Sequence, residues 1–322
     1  MKVVFTSLAL VVLFSSVLSL PSERRDDGST LTETQALNFA LSLEHFQYYF
    51  YQQLHQYEPQ DFSNAGLPPW SQGRYAQISS HELTHTQFLE NILGDKADQP
   101  CTYTFPDTDL RSFVKTSNIV EAIASSMYIS LVKYLSDSVH RFLSLHVGNS
   151  TQMRFRTISF PSALFTPWKR DTQRGSTRTC VWVPAWSTAF DAPLSLSQLY
   201  TVMSAFITSC PSSNSHPPVT KFPALTFTDS PQPGQTVQVS FTPAASKRDS
   251  QTLYAWFISG FRALVVPLNA DMTVTIPDAL QGFVFSVITN NRERVSDDAT
   301  VAGPAFLVFD YDYQGNGQSL PM

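Results

Sequence analysis

The pattern of hydrophobic and polar residues divides the chain into a helical part and a β-rich part. Apolar residues recur at helical spacing over residues 33–57 and 70–93 and from 107–109 onwards, which predicts three long helices. Ser195 or Ser197 can cap a shorter last helix. Short β-rich runs predict strands at 236–242, 253–258, 263–267, 272–276, 283–289 and 305–309. The predicted fold class is therefore α plus β in two domains, a helical bundle followed by an immunoglobulin-like β-sandwich.

Each long predicted helix carries an acidic residue inside its apolar stripe. These residues are Glu44, Glu82 with His85 one turn later, and Glu121. Burying carboxylate or imidazole groups among apolar side chains costs free energy unless the groups are paired or bind a cation. Bundles that hold two irons take one Glu from each of two helices and a Glu-x-x-His from each of the other two. The helices therefore supply four of those six ligands, although each acid taken alone would more often be a solvated helix edge.

The segment His81-Glu82-x-x-His85 also matches the pattern of zinc peptidases, in which two histidines bind zinc and the glutamate is the general base. Such a site requires a third protein ligand, and no Gly-x-x-His follows His85. Glu121 can serve as the third, downstream ligand, but this interpretation does not explain why Glu44 lies in an apolar stripe. The carboxylate-rich site is the favoured interpretation, and the zinc metallopeptidase is the weaker alternative.

Composition and the N-terminus restrict the expected partners and location. The chain has 322 residues and a formal net charge of −5, which provides no extended basic surface for nucleic acid. An apolar segment from Val3 to Leu18 follows Lys2, so residues 1–19 are predicted to be a secretory signal peptide. No later apolar run is long enough to span a bilayer. We expect a secreted, extracellular or cell-wall protein that takes a metal ion, with protein partners undefined.

Three cysteines remain after the signal peptide: Cys101, Cys180 and Cys210. An oxidising compartment favours one disulfide and one odd thiol. Cys101 precedes a Pro/Asp-rich connection and Cys210 closes the last helical stretch, so both lie at element ends, where a cross-link is useful. We therefore expect a Cys101–Cys210 disulfide. Asn149 begins an Asn-Ser-Thr sequon, which predicts a glycoprotein.

Turn-forming and polar stretches set the expected domain boundaries. A linker rich in Pro and Ser over residues 211–223 separates the bundle at 31–210 from the sandwich at 224–310. Residues 156–183 are helix-poor and are expected to be an insertion in the bundle, and 311–322 form a C-terminal tail. The sandwich sequence contains no cluster of acids, histidines or cysteines, so it is expected to support or bind rather than to catalyse.

Several strings of residues together resemble one protein family. They are Leu43-Glu44-His45, Gly73-Arg74-Tyr75-Ala76-Gln77-Ile78, His81-Glu82-x-x-His85, Gln99-Pro100-Cys101-Thr102-Tyr103, Ala185-Trp186-Ser187-Thr188-Ala189-Phe190-Asp191, Ile207-Thr208-Ser209-Cys210-Pro211, Phe222-Pro223-Ala224-Leu225-Thr226 and Val287-Ile288-Thr289-Asn290-Asn291. The chain resembles the fungal secreted ferritin-like-domain proteins, which are associated with stress responses and late sexual development and are similar to plant desiccation-related proteins. The resemblance extends from about Leu31 to Asp310, and it implies a ferritin-like bundle with carboxylate-held iron.

One window departs from this family. The family's second Glu-x-x-His should lie near residues 151–155. In this chain Gln152 stands at the Glu position and Phe155 at the His position. An amide is a weak neutral ligand and a phenyl ring is none. The resemblance therefore implies an incomplete di-iron site that holds iron weakly or partially, with degenerate positions at Gln152 and Phe155. The implied metal ligands are Glu44, Glu82, His85 and Glu121.

The expected function is that of a secreted protein associated with stress or development, without robust catalysis. Residues 156–183 have no likeness to the family, which fits either real divergence or an error in the gene sequence such as a retained intron. If the corrected transcript restores a Glu-x-x-His, a di-iron oxidase-like protein becomes the leading interpretation. Whether the chain is an enzyme stays open on the sequence alone.

Overall fold

In the computed structural model of the protein, the long helices come first along the chain and most of the strands follow. The structure describes residues 31–68, 70–136, 191–228, 231–242, 252–309 and 311. The α-helices are α1 Glu33–Gln52, α2 Pro59–Asn64, α3 Ser71–Leu93, α4 Leu110–Leu131 and α5 Leu196–Met203. The strands are β1 Thr102–Tyr103, β2 Ile207–Ser209, β3 Thr226–Phe227, β4 Thr236–Ser240, β5 Tyr254–Ser259, β6 Arg262–Pro267, β7 Thr273–Thr275, β8 Gly282–Thr289 and β9 Thr300–Phe309. Helix-rich and strand-rich regions thus occur in the predicted order.

Local sequence signals explain where the helices begin and end. Asp109 caps α4 and Ser195 caps α5, and each side chain accepts a hydrogen bond from the backbone N–H three residues later. Ser195, rather than Ser197, is therefore the cap of the last helix. Gly94 follows α3 with a φ of 56°, a left-handed conformation that glycine adopts at low cost. The predicted ends of the second helix are confirmed to within one residue at each end.

Three details differ from the sequence prediction. Helix α1 ends at Gln52 and continues as a 3-10 turn, short of the expected end at residue 57. Pro59 begins a short unpredicted helix, α2, between the first two predicted helices, because a proline is tolerated in the first helical turn. The last helix ends at Met203, and Cys210 follows strand β2 rather than a helix. Pairing of β2 with β1 beside the cysteines stabilises the strand conformation there.

The β-rich region consists of two antiparallel sheets with a shared core. One sheet has the order β3-β4-β7 and the other β6-β5-β8-β9. Each of the six predicted β runs overlaps one of these strands, and β9 begins five residues before its predicted run. The core residues come from both sheets and include Val239 and Val274 from the first and Phe257, Val284 and Ile288 from the second.

The helices and the larger sheet also pack against each other. Helix α1 packs on α3 and α4, and α5 lies between α4 and β9. The hydrophobic core of the helices includes Ile258, Phe285 and Val287 from the sheet. Ser195 Oγ donates a hydrogen bond of 2.6 Å to Oδ1 of Asp297 across this boundary. The bundle is therefore supported from one side by the sheet.

Cys101 and Cys210 form a disulfide, the pair expected from the sequence. The bond joins the connection after α3 to the end of β2, next to the β1–β2 pair. Within the described residues, no helix has the length and apolar character that a membrane crossing requires. The predicted signal peptide at 1–19, the sequon at Asn149, the insertion at 156–183 and Cys180 lie outside the described residues.

Candidate metal centre

Glu44 on α1 and Glu82 and His85 on α3 meet in the interior of the bundle. His85 Nδ1 lies 3.1 Å from Glu44 Oε2 and 3.0 Å from Glu82 Oε2. One potential ligand atom from each of the three residues lies within 4.8 Å of the other two. Glu82 and His85 share a face of α3 because they are three residues apart. The structure thus brings the acid of the first predicted helix to the Glu-x-x-His of the second.

Burial and mutual contact alter the protonation of this group. Burial alone would lower the pKa of His85, but hydrogen bonds to Glu44 and Glu82 raise it to about 10. Burial raises the pKa of Glu82 to about 7; the nearby charge of Glu44 adds to this shift, while the hydrogen bond from His85 opposes it. Near neutral pH, a protonated His85 donates to both carboxylates. A divalent cation at this position would replace that proton.

Two buried tyrosines, one on α4 and one on α1, donate hydrogen bonds to carboxylates in the bundle interior. The hydroxyl of Tyr128 on α4 donates a hydrogen bond to Glu44 Oε1. The hydroxyl of Tyr51 on α1 donates a hydrogen bond of 2.5 Å to Glu121 Oε1. Burial, and then the charge of Glu121, holds the pKa of Tyr51 well above its usual range, so this phenol remains a donor. Because Tyr128 occupies Oε1, the other oxygen of Glu44 faces His85.

Glu121 lies in the bundle interior but outside the three-residue group. Its side chain is 4% exposed, on the face of α4 that contacts α1. The close donor set contains Glu44, Glu82 and His85 without it. Glu121 as a metal ligand therefore stays a prediction. Gln152 and Phe155, the two positions expected to be degenerate, lie outside the described residues.

His81, the first histidine of the zinc-peptidase pattern, is exposed on α3. It does not belong to the close group of donors, whereas Glu82, the general base in that interpretation, is 1% exposed and does belong to it. A peptidase needs both histidines on the zinc and the glutamate beside it. The arrangement therefore favours the carboxylate-rich site.

Gln47 is an interior residue that the sequence patterns did not single out. It is 0% exposed, and neither polar atom of its side-chain amide has a hydrogen-bond partner within the described part of the chain. It lies on α1 one turn after Glu44 and one turn before Tyr51. In the sequence, only this spacing from Glu44 and Tyr51 could have indicated that Gln47 belongs to the interior. A glutamine in an apolar stripe is normally taken as the polar edge of a helix.

The donor set fits a divalent first-row metal ion. Carboxylate and imidazole groups bind iron, manganese and zinc, and the buried position limits competition from water. Three protein ligands would leave coordination positions for water or for further ligands. Within the described part of the chain, no second group of three or more such donors lies equally close together.

Residues 32–148 match the family of proteins described as having a ferritin-like domain. Helices α1, α3 and α4, and all four predicted ligands, lie within this range. No curated protein matches the chain significantly. The chain thus contains a ferritin-like helical domain, followed by a region of antiparallel sheets.

Proposed function

We propose that the ferritin-like domain binds one divalent cation, with iron(II) the expected metal, through Glu44, Glu82 and His85. The observation that carries this proposal is the convergence of these three donors within 4.8 Å of one another in the bundle interior. Uncompensated carboxylates are costly to bury, and a bound cation offsets that cost. Iron binding also agrees with the ferritin-like match over residues 32–148.

The second half of a di-iron site is incomplete in this proposal. A second iron would require the Glu-x-x-His of another helix, and the sequence has Gln152 and Phe155 at those positions. Glu121, whose Oε1 accepts from Tyr51, supplies one further carboxylate. One carboxylate and an amide hold a second cation weakly. We therefore expect no robust di-iron catalysis.

The residues around the cation would fix its ligands rather than react. Tyr128 donates a hydrogen bond to Oε1 of Glu44, so that Oε2 of Glu44 is directed towards His85. His85 would have to be deprotonated for its imidazole to serve as a ligand. A bound iron would supply Lewis acidity and one-electron redox chemistry.

We further propose that the protein is secreted and serves a stress- or development-associated role. The apolar N-terminal segment and the Cys101–Cys210 disulfide support export into an oxidising compartment. The physiological role rests on the resemblance to the fungal secreted family alone. An immunoglobulin-like sandwich as a supporting or binding module, with residues 211–223 as its linker, belongs to the same proposal.

A di-iron oxidase-like protein is the second candidate, favoured by the interior position of Glu121. Sequencing of the transcript across residues 156–183 decides whether a Glu-x-x-His is restored. For the chain as written, anaerobic titration with iron(II) should give one tight site per chain. The variant Gln152→Glu/Phe155→His should gain a second tight iron site. Two tight irons in the unaltered protein would contradict the incomplete site, and none would contradict the proposed function.

A further inference from the structure

The amide of Gln47 lacks a partner in a place where such a group is expensive. Its side chain is fully buried, and neither Oε1 nor Nε2 forms a hydrogen bond among the residues that the structure describes. Native proteins satisfy most buried polar groups, because each unsatisfied donor or acceptor loses its hydration with no replacement. Two such atoms on one side chain therefore point to a ligand that occupies the site in the functional protein.

The surroundings of Gln47 indicate which ligand this is. Hydrogen bonds from Tyr128 to Glu44 and from Tyr51 to Glu121 connect α1 with α4, two helical turns apart. Gln47 lies on α1 between these two connections, within one turn of Glu44 and of Tyr51. Its position on the helix therefore places Gln47 between the levels of Glu44 and Tyr51, one turn from the centre formed by Glu44 with His85.

We propose that Gln47 is a further ligand-binding residue of this centre, and that its amide binds a water molecule coordinated to the cation. This inference rests on the proposed function, because the water is held in place by the metal. A cation with three protein ligands retains coordinated water. Such water donates to the amide oxygen, and the amide N–H groups donate to a water or carboxylate oxygen. The uncharged amide assists binding without adding a further negative charge.

Ser126 provides a matched control for a buried polar group without a partner. It is 1% exposed, and its Oγ has no hydrogen-bond partner in the described ranges. It is on α4, two residues before Tyr128 and therefore on the opposite side of the helix from the contact with Glu44. Removal of its hydroxyl changes buried polarity without touching the centre.

The experiment compares Gln47→Leu, Gln47→Glu and Ser126→Ala with the unaltered protein, using cobalt(II) alone as the probe. Cobalt affinity, its visible absorption spectrum and the unfolding midpoint of the metal-free protein are measured for each. We expect Gln47→Leu to keep or raise the midpoint without metal, to lose about tenfold in cobalt affinity and to shift the cobalt spectrum. Gln47→Glu should retain or improve affinity, and Ser126→Ala should leave affinity and spectrum unchanged.

The outcomes separate this inference from the proposed function. If the unaltered protein binds cobalt and Gln47→Leu binds it equally well with the same spectrum, the role of Gln47 is wrong and the metal centre stands. If the unaltered protein binds no cobalt, both proposals are contradicted. If Gln47→Leu does not fold, Gln47→Glu decides: loss of cobalt affinity in that variant contradicts the inference.

Discussion

The hydroxyl of Tyr128 on α4 donates a hydrogen bond to Oε1 of Glu44 on α1, whose Oε2 contacts His85 on α3. A single carboxylate thus connects three helices of the bundle. Groups that hydrogen-bond to metal ligands orient them and tune their basicity. Tyr128 is therefore a positioning residue of the candidate metal centre.

Replacement of Tyr128 by phenylalanine should weaken metal binding about tenfold, because Glu44 loses the contact that directs Oε2 to His85. Isothermal titration with cobalt(II) measures this change. Tyr75→Phe is the matched control, since Tyr75 is also buried but its hydroxyl contacts Ser117 rather than a carboxylate. Equal losses in the two variants would show that the effect is general loosening of the core.

The stability of the metal-free protein should fall as the pH rises. The folded pKa of Glu82 is raised from 4.5 to about 7 and that of His85 from 6.5 to about 10, so the folded protein binds more protons than the unfolded chain across these intervals. The stabilising contribution is present below each unfolded pKa and is lost as the pH rises through the folded pKa. Denaturant unfolding in the presence of a chelator, at about pH 5, 7 and 9, measures the trend.

The variant His85→Gln tests the origin of this pH dependence. It should remove most of the decline above about pH 7 while leaving the fold intact. His216→Gln is the control, because His216 is exposed on the segment before β3. An unchanged slope in the His85 variant would contradict the raised pKa of His85.

Metal affinity should follow the opposite trend and increase with pH. Binding requires deprotonated Glu82 and His85, so it releases protons wherever these groups are protonated in the metal-free protein. Cobalt titrations in buffers with different ionisation enthalpies count the protons released near neutral pH. Binding without proton release would show that the cation does not displace the proton of His85.

The disulfide should make a large contribution to stability. Cys101 and Cys210 are separated by 109 positions, and closing so long a loop contributes about 5 kcal/mol in the chain-entropy account. Denaturant unfolding of the Cys101→Ser/Cys210→Ser variant should show a loss of this order. Cys180→Ser is the control. A double variant as stable as the unaltered protein would show that the β1–β2 pair holds this region without the bond.

The segment expected to be a linker is held by side chains of the bundle. Oδ1 of Asp98 accepts from the backbone N–H of Ser215, and Oδ2 accepts from its hydroxyl. Asp98→Ala should therefore speed limited proteolysis within residues 211–223 several-fold, whereas Asp95→Ala, an exposed site nearby, should not. Mass spectrometry maps the cleavage sites and their rates. Cleavage of both variants at the rate of the unaltered protein would contradict this expectation.

The helices and strands were largely predictable because their signals are local. Helical spacing and a cap at Ser195 or Ser197 predicted element type and position. Strand β2 was not predictable in this way, because Ile207–Ser209 adopts its conformation by pairing with a segment far away in the sequence. Tertiary pairing there overrides the local helical pattern.

The centre was predictable only in part, for a related reason. An acid inside an apolar stripe identifies Glu44, Glu82 and Glu121 as interior residues, and the structure buries all three. The stripe does not show which carboxylate oxygen a tyrosine occupies, since Tyr51 and Tyr128 are seventy or more positions from their partners. The burial of Gln47 likewise depends on how the other elements pack around α1, which the stripe does not show.

Equilibrium binding of cobalt(II) to the unaltered protein and to Glu82→Gln tests the central claim most directly. The metal-free protein is titrated beside Glu90→Gln, a control on the same helix whose side chain is 44% exposed. We expect one cobalt per chain in the unaltered protein and in the control, and at least a tenfold loss of affinity in Glu82→Gln, because a carboxylate ligand becomes a neutral amide. Cobalt binding of equal strength in all three proteins would contradict a cation site formed by Glu44, Glu82 and His85.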